Sequence, residues 1–577
     1  MNLSSLLKEA DMRWIDKPTP KKTTVSHLQE CLGVDKVIAT LLAQRGIDSF
    51  EKAKAYFRPH LEQLHDPFLM QDMDKAVSRL AQAIQQKERV MVFGDYDVDG
   101  TTSVAMLTHF LQEQGIAVAS YIPDRYAEGY GLSKQGIENA KRENIRCIVA
   151  LDCGVKAVEL VDYATALGID IVICDHHTPG EKLPNALAVL DPKRSDCTYP
   201  YKELCGCGVG FKLMQGIVEK KGGKIDTLIP YLDFVAVAIA ADIVPITGEN
   251  RTLSFLGLQQ LNVAPRPGIK ALMREKIGGQ LISDVVFGMA PRINAAGRMK
   301  HGLFAVELLL STTDKEATKI AEAIEEFNTS RKSVEQEITQ EALAQIEANG
   351  ETENAASVVF APHWHKGVVG IVASRLIEKY YRPTVVFTKA GEGILAASAR
   401  SVREFDLYAA IEACSAHIIQ FGGHKYAAGV TLNESNYETF KMAFEQQVAN
   451  TIVPEQKAPT LALDVALPFD AITPKLLRIL RQMEPFGPEN KSPVFYTDGV
   501  MDNGTAKTVG KENAHLKARF VQGNHSPIDA IGFGLGDKLS LVKIGKPLRI
   551  AFALEENHWQ GNVSVQLRLK DIQPLDC

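Results

Sequence analysis

Four short apolar runs, each ending on an aspartate, constrain this chain more than anything else in it. Val90–Phe93 leads into Gly94-Asp95-Tyr96-Asp97-Val98-Asp99-Gly100, and Cys147–Leu151 into Asp152-Cys153-Gly154. Ile171–Cys174 leads into Asp175-His176-His177, and Ala188–Leu190 into Asp191-Pro192. Helix-length segments separate the first three, 101–114 after the first, with Thr102 and Ser103 as cap residues, and 155–167 after the second. Strands alternating with helices imply an α/β fold with a parallel sheet covered on both faces. In such sheets ligands bind beyond the carboxyl ends of the strands. Here those ends aim carboxylates and imidazoles at one crevice.

Carboxylate oxygens with imidazole suit Mg²⁺ or Mn²⁺ better than a thiolate site would. Several carboxylates brought together repel one another unless cations sit among them. Two divalent ions a few ångström apart relieve that repulsion, and the same arrangement clamps the attacking and leaving oxygens of phosphoester cleavage. Asp191 precedes a proline and reads as a turn residue. Asp97 and Asp99 together, and the Asp175-His176-His177 triplet, are hard to explain as turns. The Asp-x-Asp-x-Asp-Gly stretch echoes a calcium loop, but its twelfth position is Met106 instead of Glu and a strand precedes it. Asp242, in an otherwise apolar run (Phe234 to Val244), reads equally as a ligand or as a helix-end residue.

At 577 residues the chain is long enough for two to four domains. Residues 1–70 read as a helical N-terminal segment broken by Pro18, Pro20 and Pro59. A first α/β block extends through 71–311. Residues 312–350 hold a stretch without Gly or Pro from 312 to 348, with Ile320, Ile324, Phe327, Ile338, Leu343 and Ile346 spaced as one long connector helix or a hairpin of two. Residues 351–452 return to mixed α/β, and 453–577 read as β, ending in a hairpin around a Gly-Asn turn. Hydrophobic content of 45% with 23% charged residues excludes a mainly disordered chain. No apolar run approaches the ~20 residues of a membrane span. The N-terminus lacks a signal-peptide pattern, and nine scattered cysteines fit reduced thiols, so a cytoplasmic setting is expected.

Further motifs lie outside the strand ends. Gly422-Gly423-His424-Lys425-Tyr426-Ala427-Ala428-Gly429 offers backbone N–H groups that cradle phosphate, or a tight turn. Arg400, in Ser398-Ala399-Arg400, follows an apolar strand and suits bidentate phosphate contact. Arg125 reads equally as a phosphate contact or a surface ion pair. His363-Trp364-His365 lacks a second ligand pair for zinc, so packing or substrate contact is expected. Cys205-Gly206-Cys207 fits no metal or redox spacing. There is no GxxxxGK[ST] phosphate loop, and Gly208-Val209-Gly210 lacks the rest of a dinucleotide fingerprint. In the tail, Lys507, Lys511, Lys517 and Arg519 sit in alternating strands; Phe520, Phe533 and Trp559 read equally as base-stacking or core residues.

In these motifs, taken in this order, the chain resembles the DHH phosphoesterase superfamily, and most closely its bacterial single-stranded-DNA exonucleases. The resemblance covers nearly the whole chain. It implies a parallel-sheet DHH domain, a long helical connector, a DHHA1-like substrate domain and a C-terminal OB-fold. It implies that Asp97, Asp99, Asp152, His176 and Asp242 hold two Mn²⁺ or Mg²⁺ ions, with Asp152 bridging and Asp95 and Asp175 as further candidates. His177 joins Asp97, Asp99, Asp152 and His176 as a catalytic position. Arg125, Ser398 and Arg400 match a 5′-phosphate pocket, and Gly422, Gly423 and His424 match substrate contacts. The implied activity is 5′→3′ hydrolysis of single-stranded DNA in repair and recombination. A phosphodiesterase for short oligonucleotides or cyclic dinucleotides, or a non-catalytic single-strand binder, are the alternatives. Single-stranded-DNA-binding protein and a RecQ-type helicase are the implied partners. The net charge of −6 argues mildly against a nucleic-acid partner, yet it equals the six aspartates of the four motifs. Two divalent cations would return four of those charges.

Overall fold

The structure, a computed structural model, describes residues 12–273, 279–559 and 562–575. The chain forms two compact units. One contains residues 54–331 together with 483–491; the other contains residues up to 53, 332–482 and 492–577.

The first unit is built on five parallel strands: β1 (Val90–Gly94), β2 (Val118–Tyr121), β3 (Cys147–Leu151), β4 (Asp170–Cys174) and β5 (Ala188–Leu190). Their order is β2-β1-β3-β4-β5. β1 and β3 are buried along their whole length, which is why they read as unbroken apolar runs. β2 is the strand that the sequence pattern does not announce; it forms the sheet edge, its residues are half-buried, and it mixes Ser and Tyr with Val and Ala. The order reverses between β1 and β3, so the crevice at their carboxyl ends is the topological switch point.

Helix α1 (Val98–Glu113) follows β1 and is buried on nearly all sides from Val98 to Leu111. A helix enclosed all round carries no polar stripe, as its sequence shows. It packs against α2 (Gly206–Lys220) and α3 (Leu232–Ala241). Thr102 and Ser103 do not cap α1. The helix starts earlier, with Asp97 as its cap, because the Asp97 carboxylate accepts the Gly100 N–H at 3.1 Å. The Thr102 hydroxyl instead donates back to the Val98 carbonyl at 2.6 Å.

Residues 483–491 form a strap on this same unit. The Arg251 guanidinium lies 3.8 Å from the centre of the Tyr56 ring and donates to the carbonyls of Tyr56, Met483 and Glu484. Asn490 donates to the Met483 and Pro485 carbonyls. The Ile246 N–H donates to the Pro488 carbonyl at 2.8 Å, so the strap backs the segment that begins at Asp242.

Helix α4 (Asp314–Ala348) is one continuous helix of 35 residues that begins in the first unit and ends in the second. At 1.5 Å per residue it is roughly 50 Å long. The second unit holds two further sheets. One comprises β6 (Ser357–Phe360), β7 (Thr384–Gly391), β8 (Ile394–Arg400), β9 (Gln420–His424) and β10 (Ala427–Asn433) in the order β9-β10-β8-β7-β6, with helix α5 (Val369–Tyr380) packed on it. In the other, strands Phe495–Asp502, Leu548–Trp559, Asn562–Pro574, Ile528–Gly532 and His515–Gln522 pair in turn. Pairing of the last with the first closes this sheet into a five-stranded barrel, the form of an OB-fold. Near the N-terminus, a strand at Arg13–Asp16 pairs in parallel with Thr460–Leu463. Among the described residues no helix is long and apolar enough to cross a membrane.

Replacing Arg251 by Met leaves the Tyr56 and Glu484 carbonyls without their buried donor, at a cost of about 1–3 kcal/mol each where no water replaces it. The expected outcome is faster proteolysis within 483–491 and a lower melting temperature. Digestion indistinguishable from the wild type would show that Arg251 does not secure the strap.

Candidate metal centre

The switch point brings together the ends of β1, β3 and β4 with the ends of two helices. Asp97 and Asp99 enter on the first turn of α1, where the N-terminal dipole favours negative charge. Asp152 follows β3 in left-handed backbone (φ 59°), fixed by its N–H donating to the Cys174 carbonyl at 2.9 Å. His176 follows β4. Asp242 is the C-cap of α3, at the negative end of a helix dipole, where a carboxylate is disfavoured. It is thus both a helix-end residue and part of the cluster.

His176 is the common member. Its Nε2 lies 3.1 Å from Asp152 Oδ1, 3.5 Å from Asp242 Oδ2 and 3.8 Å from Asp99 Oδ2. Two groups of three ligand atoms each fall within 4.8 Å: Asp99, His176 and Asp242, and Asp152, His176 and His177. Asp95, Asp97 and Asp175 lie outside both groups. Burial, reinforced by the charge of His177, holds the His176 imidazole down to about 3, so it is neutral and has a lone pair to give. Despite the short separations, His176 Nε2, Asp152 Oδ1 and Asp242 Oδ2 lack hydrogen-bond partners although buried, as does Asp95 Oδ2. Buried polar atoms without partners are costly. Their chemistry, three carboxylates and a neutral imidazole, fits hard divalent cations.

The carboxylates show the electrostatic cost directly. Burial, then the charge of Asp97, pushes Asp99 up to about 7. Burial with Asp99 and Asp97 pushes Asp242 up to about 9. Asp152 and Asp95 are raised well above the carboxylate range, each by burial first and by neighbouring aspartates second. Asp175 goes the other way. Burial opposes its ionisation, but the hydrogen bond and charge of His177 and the Val155 N–H hold it down to about 2. Its Oδ1 accepts from His177 Nδ1 at 2.7 Å and from the His176 N–H at 2.8 Å, and its Oδ2 from Val155 at 2.9 Å. With both oxygens occupied, Asp175 orients His177.

Sequence reasoning missed what holds Asp99. The N–H groups of Gly206 and Cys207, on the first turn of α2, donate to its two oxygens at 2.6 and 2.8 Å. The 205–207 stretch acts through its backbone. Its thiols are buried and raised by burial, and Cys205 caps α2 by accepting the Gly208 N–H. A Cβ on Gly206 would lie 2.6 Å from Asp152 Cβ, so glycine is required there. No spacing rule reports a glycine chosen for its distance to a residue 54 positions away. Asp191 forms the expected turn, its Oδ1 accepting the Lys193 N–H at 2.7 Å.

The remaining predicted residues divide between the units. Arg125, in the first, stacks 3.9 Å over the Tyr96 ring. Ser398 and Arg400, in the second, end β8 and face Gly370 on the first turn of α5: a Cβ there would lie 3.1 Å from an Arg400 Nη and 3.3 Å from the Ser398 hydroxyl. Arg400 is largely buried and has no carboxylate partner among the described residues; burial lowers its pKa. Gly422, Gly423 and His424 end β9 at an exposed hairpin. Gly423 has φ 147° and a backbone carbonyl where a Cβ would stand. His363 and Trp364 both bond to Glu341; Trp364 is buried, whereas His363 is exposed. Phe520 is barrel core, whereas Phe533 is 55% exposed, with the His515 ring 5.2 Å and the Arg568 guanidinium 5.4 Å from its centre. The Trp559 side chain lies outside the described residues.

Comparison with known proteins bears on the whole assembly. The N-terminal domain of the DHH family matches residues 89–239, the DHHA1 domain 353–450 and the RecJ OB domain 463–571. The single-stranded-DNA-specific exonuclease RecJ of Bacillus subtilis is 36% identical over 97% of this chain and 70% of its own length. That of Escherichia coli is 32% identical over 93% of this chain and 96% of its own. The crystal structure of RecJ in complex with Mn²⁺ from Thermus thermophilus superposes with a TM-score of 0.85 at 27% identity, covering 98% of this chain and 80% of that one. A Mg²⁺ complex of the same protein gives 0.79. Three domains in this order, with the buried carboxylates at the switch point of the first, place the chain in the RecJ family of single-stranded-DNA-specific exonucleases.

Proposed function

We propose that this protein is an exonuclease that degrades single-stranded DNA from its 5′ end by hydrolysing phosphodiesters at a two-cation centre. The observation that carries the reading is the set of buried, unpartnered ligand atoms on Asp152, His176 and Asp242 at the switch point. Asp97, Asp99, Asp152, His176 and Asp242 are the residues we assign to hold the ions, with Asp95 as a further candidate. When bound, Mn²⁺ or Mg²⁺ supplies positive charge beside the scissile phosphate and acidifies the attacking water. His177, aimed by Asp175, is assigned to the catalytic set beside that phosphate.

The 5′ polarity is assigned to the arginines. A largely buried guanidinium without a carboxylate partner is a strong candidate for a phosphate, and Arg400 with Ser398 is the site we infer for the terminal 5′ phosphate. Arg125, in the other unit, is assigned to a second phosphate contact. Gly422, Gly423 and His424 are assigned to the strand beyond, and the exposed Phe533 beside His515 and Arg568 to base stacking on the barrel. On the resemblance alone, we infer a cytoplasmic enzyme acting in repair and recombination, with single-stranded-DNA-binding protein and a RecQ-type helicase as partners.

Single strands labelled at the 5′ or the 3′ end, incubated with Mn²⁺ and then with chelator, test the reading. Mononucleotide release from the 5′ label first, stopped by chelator, is expected; release from the 3′ label first, or activity with excess chelator, contradicts it. Asp152→Ala is expected to lower the rate on the order of a hundredfold or more. Gly206→Ala keeps every ligand residue but pushes against Asp152, so Mn²⁺ affinity in calorimetry should fall about 10–100-fold. An unchanged affinity would remove Gly206 from the site.

The raised carboxylates also predict a pH dependence. Between about pH 4, where an unfolded aspartate ionises, and the folded values of about 7 for Asp99 and 9 for Asp242, the folded metal-free protein holds more protons than the unfolded chain. Its stability therefore falls as pH rises through that window. Mn²⁺ offsets this, so it should raise the melting temperature by several degrees more at pH 8 than at pH 6. Equal increments at the two pH values would count against the cluster as the binding site.

A further inference from the structure

Tyr130 stands beside this centre, and no motif singled it out. Its ring is half exposed, yet its hydroxyl is engaged twice, 3.2 Å from His177 Nε2 and 3.2 Å from the Asp152 carbonyl oxygen. The ring meets His177 edge-on at 5.9 Å and Tyr96 at 6.2 Å, and Tyr96 in turn carries the Arg125 guanidinium. The next residue is fixed as well: the Gly131 N–H donates to Asp95 Oδ1 at 3.3 Å. The loop between β2 and Leu132 thus touches the site at two points.

His177 is consequently gripped at both ring nitrogens. Asp175 takes Nδ1 at 2.7 Å, and the Tyr130 hydroxyl takes Nε2. A histidine held at one nitrogen still swings about that bond; held at both, its ring plane is set. His177 is also 44% exposed, so packing alone does not fix it.

We propose that Tyr130 is a positioning residue of this nuclease: through its hydroxyl it holds the outer nitrogen of His177 beside the ligand atoms of Asp152 and His176, where a scissile phosphate would arrive. The proposal rests on the nuclease reading above, and it adds a residue whose hydroxyl reaches the reaction through His177 and through the Asp152 backbone.

Tyr130→Phe keeps the ring and its contacts and removes the hydroxyl alone. With single-stranded DNA and saturating Mn²⁺, kcat should fall about 10–100-fold, the range for lost outer-shell partners, while KM and the melting temperature stay near wild-type values. In the His177→Ala background the same change should have a clearly smaller effect, because one of the two groups the hydroxyl holds is gone. A Tyr130→Phe enzyme within twofold of wild type overturns the proposal, as does an equal further loss in the His177→Ala background. A wild-type protein without nuclease activity would instead fail the underlying reading. Activity need not be the only measure. With ¹⁵N-histidine in the metal-free protein, the His177 ring signals should move in Tyr130→Phe while those of distant histidines such as His525 stay. Unmoved His177 signals would show that the hydroxyl does not hold the ring.

Discussion

The first unit is organised around a repulsion. Four aspartates, Asp95, Asp99, Asp152 and Asp242, are buried or nearly so at the ends of neighbouring elements, and burial first, then nearby aspartates with Asp97 foremost among them, raises their pKa values. A fold keeps such a set only by holding it in place from outside. The positive end of α1 faces Asp97 and Asp99, the first turn of α2 supplies two N–H groups to Asp99, and a left-handed turn presents Asp152. The enclosed core of α1 and the parallel strands supplies the rigidity for these alignments, at about 1.5–3 kcal/mol for each fully buried Val, Leu or Ile.

Much of this was legible in the sequence because a parallel sheet exposes its logic. Buried strands are written as unbroken apolar runs, and their polar ends follow at once, so Asp97, Asp99, Asp152 and His176 could be read off as residues at the strand ends, and the structure brings Asp99, Asp152 and His176 together. The α4 stretch was legible as helix from its lack of Gly and Pro, though as one helix or a hairpin of two. The C-terminal strands were legible from alternation, whereas the OB-fold came from the resemblance alone. What stayed hidden depends on distance in space. β2 is an edge strand whose half-buried residues mix polar and apolar types. Gly206 looks like any helix-start glycine until Asp152 is seen against it. Thr102 resembles a cap because capping residues are common near helix starts, yet the aspartate five positions earlier takes that role.

Asp242 shows how the two kinds of information combine. Its sequence context allowed a ligand or a helix-end residue, and the structure shows a helix-end residue that lies in the carboxylate cluster. A carboxylate at a helix C-terminus is opposed by the dipole and by its buried neighbours, a cost that a bound cation would relieve. The same reasoning separates Asp175 from the others. It is equally buried, but four N–H donors, two of them from His177, occupy its oxygens, and it remains ionised.

The strap has a consequence for how the chain is made. Domains generally fold as units from the N-terminus during synthesis. Here the unit that carries the carboxylates lacks a part until residues 483–491 emerge, because Arg251 and Ile246 bond to carbonyls in that segment. The α4 connector, the β6–β10 sheet and its α5 helix are all translated before it. A ribosome-bound chain therefore carries the clustered aspartates long before it carries the backing for the Asp242 segment. The order of synthesis itself delays completion of the carboxylate cluster until the β6–β10 domain has been made.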